Sequence, residues 1–187
     1  IPHLNSRRSE LVLALEGLLE LEWELERAGP VELDDVAQAI AALEPHRKRE
    51  ANRIQRRKRR PLTYTTADGS RILVGRSPVE NAELTFKTAR PDDLWFHTQQ
   101  IPGAHVILQR DDKSAAPMGD ILTAAALAAL FSKAKTSPKV TVDYTLRKHV
   151  RKQPAAPPGL VFYTEPKSVY VAPGAPTTSD APHRPPN

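Results

Sequence analysis

The stretch from Asp92 to Gln109, DDLWFHTQQIPGAHVILQ, constrains the fold more than any other part of the chain. Read with a period of two it gives two short strands, because successive side chains of a strand point to opposite faces. In the first, Asp93, Trp95 and His97 share one face, and Leu94 and Phe96 share the other. In the second, His105 and Ile107 alternate with Ala104, Val106 and Leu108. Pro102-Gly103 fits a type II turn, with proline presetting φ and glycine supplying φ > 0. The loop from Thr98 to Gly103 is longer than a two-residue connection, so the turn alone does not set the register. If the strands pair, Trp95, His97 and His105 come to one face. A hydrophobic core has no need of two imidazoles and an indole together, whereas a binding surface has uses for them.

Around this hairpin the pattern alternates between elements. Residues 6–28 read as one amphipathic helix, in which Leu4, Leu11, Leu18 and Leu25 repeat every seven residues and Ala14, Leu21 and Ala28 fill the interleaved position. That is the a/d seam of a coiled coil, open to helical-hairpin packing or to a dimer through the four leucines. Ser6 or Asn5 caps its start and Gly29-Pro30 stops it. A shorter helix spans 34–43, with Asp34 as N-cap and Val36, Ile40 and Leu43 as its apolar stripe. The exposed seam is the one expected of two helices that end a longer coiled coil.

From Pro61 the pattern becomes mixed. Leu62–Thr65 and Arg71–Val74 flank Asp68-Gly69, a hairpin signal. A turn at 75–78 leads into a helix over about 79–89. Ile121–Ala134 is apolar on most of its surface, as expected of a helix buried against a sheet. Lys139–Tyr144, Gly159–Thr164 and Ser168–Val171 read as strands, and after Ala172 a Pro- and Thr-rich tail lacks any hydrophobic pattern. The expected fold class is α+β: an N-terminal helical (coiled-coil) arm, then a mixed, mostly antiparallel sheet packed against helices. The expected organisation is a helical arm over 1–46, a basic linker over 47–60, a globular domain over 61–172 and a disordered tail over 173–187.

Charge adds a functional hint. The formal net charge is +5, yet residues 1–46 carry 3 basic and 10 acidic side chains, whereas residues 47–60 carry 9 basic and 1 acidic. Like charges at i, i+3 and i+4 repel, so RKREANRIQRRKRR opposes helix formation without a counter-charge. It is either a solvated linker or a phosphate-contacting segment that includes Arg53, Arg56, Arg57 and Arg59. A second basic cluster gathers Arg147, Lys148, Arg151 and Lys152, and Lys133 and Lys135 close the alanine-rich helix. Arg76 and Asn81 flank the start of a helix, where backbone N–H groups favour phosphate; alternatively Asn81 braces the turn.

Trp95, His97 and His105 are either base-stacking residues or, respectively, a core indole and two hydrogen-bonded structural imidazoles. Asp93, His97 and His105 compose a two-His-one-carboxylate set on which a metal-dependent hydrolase would rest, but no HExxH motif accompanies them. There is no cysteine, hence no thiolate metal site or disulfide. No GxSxG, Walker A or cysteine nucleophile is present, so no enzyme and no cofactor are expected. The longest apolar run is too short for a bilayer, and nothing reads as a secretion signal, so a cytoplasmic protein without membrane contact is expected.

Five stretches together carry a family resemblance: DLWFHTQQIPGAHVIL, ILVGRS with Asn81 nearby, the helix ending FSKAK, VDYTLRKHVRK, and PPGLVFYTEPKSVYVAP. They cover about residues 68–173 and resemble, in order, the NFACT-R domain, the RNA-binding module of NFACT proteins, which include RqcH-like proteins and fibronectin-binding protein A homologues. Residues 1–46 resemble the end of the coiled-coil region of the same proteins. The resemblance implies a role in ribosome quality control: binding RNA (ribosomal RNA, tRNA or both) at large ribosomal subunits with stalled nascent chains, and supporting untemplated alanine tailing. It implies no tailing by this portion alone. One departure is Ser77, where many members have Asn. The family's older name raises a further alternative, a fibronectin-binding adhesin.

Overall fold

The computed structural model describes residues 2–27, 29, 33–41, 61–110, 115–153 and 158–175. The basic segment 47–60, including Arg53, Arg56, Arg57 and Arg59, lies outside the described residues, as does most of the expected tail.

Helix α1 spans Pro2–Arg27 and begins earlier than its expected cap. Helix α2 spans Leu33–Ala41, which places Asp34 inside the first turn, where a carboxylate favours the positive end of the helix dipole. Leu11, Leu18 and Leu25 of the heptad row are exposed, while Leu21, Trp23 and Glu24 are buried. The face of α1 that seats on the rest of the chain is thus the neighbouring one.

The domain is built on a six-stranded sheet of order β1-β2-β4-β3-β5-β8, with every pairing antiparallel. Strands β1 (Leu62–Thr65) and β2 (Arg71–Val74) close at Asp68-Gly69, where Gly69 takes φ +84° and donates its N–H to Thr66 O. Strands β3 (Leu94–Thr98) and β4 (Val106–Leu108) form the central hairpin, with Trp95 opposite Ile107. Strand β5 (Val140–Leu146) extends the sheet beyond β3, and β8 (Lys167–Val171) closes that edge. The expected strand over 159–164 splits off: β7 (Val161–Tyr163) pairs with β6 (Val150–Lys152) in a separate ribbon.

Period-two alternation gives the sheet two apolar faces. One carries Ile72, Val74, Phe96, Val106 and Val142 and is covered by helix α4 (Met118–Leu130), whose alanines let the helix lie close. The other carries Leu73, Trp95 and Ile107. It is covered by the β6–β7 ribbon through Val150, Val161 and Tyr163, and by Leu84, Phe86 and Ala89. Those last residues follow helix α3 (Pro78–Glu83), which widens into a π-helical turn over Leu84–Thr88. Ala89 N donates to Leu84 O across that turn, and such bulges re-aim side chains within a helix.

The hairpin loop departs from expectation. Gly103 has no positive φ; the left-handed residue is Gln100 at φ +54°. Pro102-Gly103 is therefore not a type II turn. Glycine is needed at 103 for space: a Cβ there would lie 2.9 Å from Thr98 Oγ1 and 3.0 Å from Ser132 Cβ, because Gly103 bridges to Ser132 after α4.

Gly75 is tighter still. A Cβ there would sit 2.3 Å from Asn81 Oδ1 and 3.0 Å from Asn81 N, a backbone atom. Gly75→Ala is expected to destabilise the domain by about 1–3 kcal/mol, the usual range for overpacking, with urea denaturation as the check.

Candidate nucleic-acid interface

The hairpin brings Trp95, His97 and His105 to one face. Trp95 stacks on His97 with centroids 5.7 Å apart, and meets His105 edge-on at 5.1 Å; the two imidazoles are 5.4 Å apart. Tyr163 of the covering ribbon packs against the indole at 5.0 Å. Trp95 is 0% exposed and His105 is 2% exposed, so neither presents a ring face to a base here. The aromatic group is an interior cluster in which only His97 and Tyr163 reach partial exposure.

Burial explains the electrostatics of this cluster. It pushes His97 down to about 4, against weaker opposing contributions from Gly103, Thr98 and Asp143. His105 is lowered well below the usual imidazole value by burial first and by His97 second. Its Nδ1 lies 2.8 Å from Thr85 Oγ1. Asp93 does not join the histidines: its carboxylate accepts the amides of Arg90 at 2.8 Å and Arg110 at 3.0 Å. Among the described residues no group of three or more His, Cys, Asp or Glu is arranged to hold a metal ion.

Asp143, register partner of His97, accepts from Tyr163 OH at 2.9 Å and Ser168 Oγ at 2.6 Å. Burial, then Asp143, raises the Tyr163 phenol above its ordinary value. Helix α1 closes over this region. Glu20 accepts the Gly103 amide at 3.1 Å. Burial first and Glu24 second push its carboxyl up to about 8, with the Gly103 amide and Arg27 opposing.

Asn81 is buried and braces the turn. Its Oδ1 accepts the His105 amide at 3.1 Å, and its Nδ2 donates to Gly103 O at 3.4 Å. One side chain thus ties α3 to the segment that leads into the hairpin's second strand. Ser77 is the N-cap of α3: its Oγ accepts from Glu80 N at 3.2 Å and donates to Asp35 Oδ2 of α2 at 2.6 Å. Serine and asparagine are both good N-caps, which accounts for the departure at this position. The Arg76 guanidinium is clasped by Glu80 through Nε at 3.1 Å and Nη2 at 3.0 Å.

Among the described residues, the candidate lysines and arginines at 133–135 and 147–152 form two separate patches. Lys133 and Lys135 are exposed beside the hairpin loop, where Lys133 N donates to Pro102 O. Arg147, Lys148, Arg151 and Lys152 lie at the other end of β3, where Arg147 N donates to Asp93 O. The five residues of β3 separate the patches, a span of roughly 17 Å at about 3.4 Å per residue. Within the second patch, Arg147 donates through Nε to Thr85 O at 2.7 Å, and its guanidinium lies 5.4 Å from the Phe86 ring centroid. Lys152 lies over the same ring at 5.2 Å. Lys148, Arg151 and Lys152 are exposed. Arg110 and Lys167 join this end of the domain unforeseen, because a lone cation after a strand or in a turn carries no sequence signature.

With this geometry in place, the chain is assigned by comparison: it belongs to the NFACT family, residues 60–164 matching the family described as NFACT protein RNA binding domain. Among its relatives, the protein named Rqc2 homolog RqcH of Bacillus subtilis (strain 168) is 36% identical over 163 residues, a match covering 84% of this chain and 28% of that protein. The Rqc2 homolog RqcH of Streptococcus pneumoniae (strain D39) is 39% identical over 175 residues, covering 92% and 31%. The chain therefore spans about three tenths of the length of these curated relatives. The solved C-terminal structure of the fibronectin/fibrinogen-binding protein from Streptococcus suis matches with a TM-score of 0.77 at 33% identity, covering 93% of this chain and 70% of that one.

Proposed function

We propose that this chain is the RNA- and ribosome-binding C-terminal portion of a ribosome quality control factor, acting in the cytoplasm at large ribosomal subunits that hold stalled nascent chains. The observation that carries the reading is the family match over residues 60–164, and the exposed cations Lys148, Arg151 and Lys152 are suited to phosphate. In this reading the chain contacts ribosomal RNA or tRNA through the β6 patch, with Lys133, Lys135 and the arginines of 47–60 adding further phosphate contacts. It supports alanine tailing by the whole protein and performs no catalytic step itself. The exposed Leu11, Leu18 and Leu25 suit packing against another helix of a coiled coil. No described helix is long and apolar enough to cross a membrane.

The test is RNA affinity against salt. The triple variant Lys148→Gln, Arg151→Gln, Lys152→Gln is expected to flatten the slope of log affinity against log salt by about 2–3, roughly one for each phosphate that is no longer neutralised. Filter binding between 50 and 200 mM salt reads it, and an unchanged slope removes these residues from the interface.

The name of the solved Streptococcus suis relative supports a second reading, a fibronectin- or fibrinogen-binding surface. Retention of fibronectin by the chain after nuclease treatment and at high salt would favour it; loss under both conditions would reject it.

A further inference from the structure

We propose that the half-open cavity at the Arg147 end of the sheet takes one unpaired nucleotide, its base on the cavity's apolar floor and its phosphate against Arg110 and Lys167. The inference rests on the RNA-binding reading above and adds a site and a ligand class to it.

The cavity arises from a mismatch of strand ends. Strand β8 starts at Lys167, opposite Tyr144, so Thr145 and Leu146 at the end of β5 have no β8 partner. The chain before β8 turns aside at Glu165, which takes φ +53°. The displaced loop is held there by Thr145 Oγ1, within 2.9 Å of Thr164 O and 3.2 Å of Glu165 O. Helix α4, which covers this face of the sheet, begins only at Met118. What remains open is a cavity of about 350 Å³. That lies at the low end of the roughly 300–1,000 Å³ typical of ligand sites, a size for one nucleotide unit rather than a duplex.

Its lining sorts by chemistry. Leu94, Ile121, Tyr144 and Leu146 form an apolar floor, and the Tyr144 ring is already stacked on Phe96 at 5.4 Å, which fixes it in place. Arg110 and Lys167 line the cavity as cations. His149 and Glu165, with His149 Nδ1 3.5 Å from Glu165 Oε2, add polar groups for a base edge. An apolar floor with a few convergent polar groups is the usual build of a small-ligand site, and unpaired bases splayed from their strand are the usual target of sequence-specific RNA contacts.

The nearness of the β6 cations favours RNA as the source. Arg110 donates through Nη1 to Asp92 O at 3.2 Å, and Lys148 Nζ reaches Asp92 Oδ1 at 3.3 Å. Through Asp92, Arg110 of the cavity and Lys148 of the exposed β6 patch are neighbours, within reach of one strand.

The experiment measures binding of the 187-residue chain to a fluorescein-labelled single-stranded hexaribonucleotide by anisotropy. A matched set of hexamers each carries one abasic position, and AMP serves as the free nucleotide. One abasic position is expected to weaken binding about tenfold, in line with removal of a single stacked base. In Ala116→Leu, which fills the cavity, the intact strand should bind about tenfold more weakly and the abasic penalty should vanish. The double variant Arg110→Ala, Lys167→Ala changes only the cation lining and serves if Ala116→Leu does not fold; a loss of tenfold or more and a salt slope lower by about 2 are expected. AMP that competes with the strand for native protein but not for the filled variant identifies a free nucleotide as occupant of the same site. Unchanged strand affinity and an unchanged abasic penalty in the folded variants overturn the proposal. If the Lys148, Arg151, Lys152 variant still loses RNA in that case, the RNA-binding reading stands without the cavity; if native protein binds no RNA, both fall.

Discussion

Trp95→Ala is expected to cost the domain about 3–5 kcal/mol, the range for truncating a fully buried large aromatic. The indole is 0% exposed and sits among Leu73, Leu84, Ile107 and Val150, with His97, His105 and Tyr163 against its ring. No collapse of one element fills the space, because the sheet, the π-helical turn and the β6–β7 ribbon each wall one side. Domains of this size have about 5–15 kcal/mol in all, so the variant should be marginal at 37 °C. Trp95→Phe should cost much less. It retains an aromatic ring and removes Nε1, a buried donor with no acceptor among the described residues, and an unsatisfied buried polar group costs about 1–3 kcal/mol. Urea denaturation of both variants beside native protein decides the matter. A loss below 1 kcal/mol in Trp95→Ala, together with a tenfold loss of RNA affinity, would put the indole at the interface instead of the core.

Stability should depend on pH through two buried groups that act in opposite directions. His97 is held at about 4 in the fold against an ordinary value of 6.5. Between those values the unfolded chain takes up a proton that the folded chain refuses. Its contribution is therefore complete above 6.5 and is lost as pH falls toward 4, a loss on the order of 3 kcal/mol. His105 acts in the same direction. Glu20 is raised from 4.5 to about 8, so the docked arm holds a proton that the undocked arm releases. Its contribution is present below 4.5 and is lost as pH rises toward 8, again on the order of a few kcal/mol. Glu20→Gln keeps an acceptor for the Gly103 amide and removes the titration. Thermal melts from pH 4 to 9, with hydrogen exchange in α1, should show native and variant alike near pH 4 and the variant increasingly ahead from about pH 4.5 to pH 8. A difference that stays constant with pH would rule out Glu20 as the titrating group.

How much of this was legible beforehand depends on which residues are considered. The shared face of Trp95, His97 and His105 follows from period-two alternation once the strands pair, the β1–β2 hairpin from the Asp68-Gly69 turn signal, and the buried alanine-rich helix from its apolar surface. Whether that face is wet or dry was not legible, because its cover comes from distant segments. Strand β6 hid inside a basic run in which only Val150 is buried, and a period-two signal needs more than one apolar residue. The loop at Pro102-Gly103 misled because Pro-Gly is a strong turn signal, while the actual demand on Gly103 is close approach to Ser132, a contact across the fold. The heptad leucines marked a helix correctly but not its docked face, since a buried glutamate such as Glu24 reads as solvent-facing in any hydropathy pattern. The two-patch distribution of cations needed the sheet order, which residue spacing does not encode.

Two polar attachments of α1 to the domain share a property. Glu20 receives the Gly103 amide, and Arg27 Nη2 donates to the Arg76 carbonyl. Both contacts end on the main chain, and every amino acid but proline supplies both groups. At these two points the joint between α1 and the domain is keyed to the course of the backbone, whereas Asp35 of α2 meets the Ser77 side chain. A change that moves the hairpin loop or the turn before α3 would therefore alter the angle at which α1 leaves.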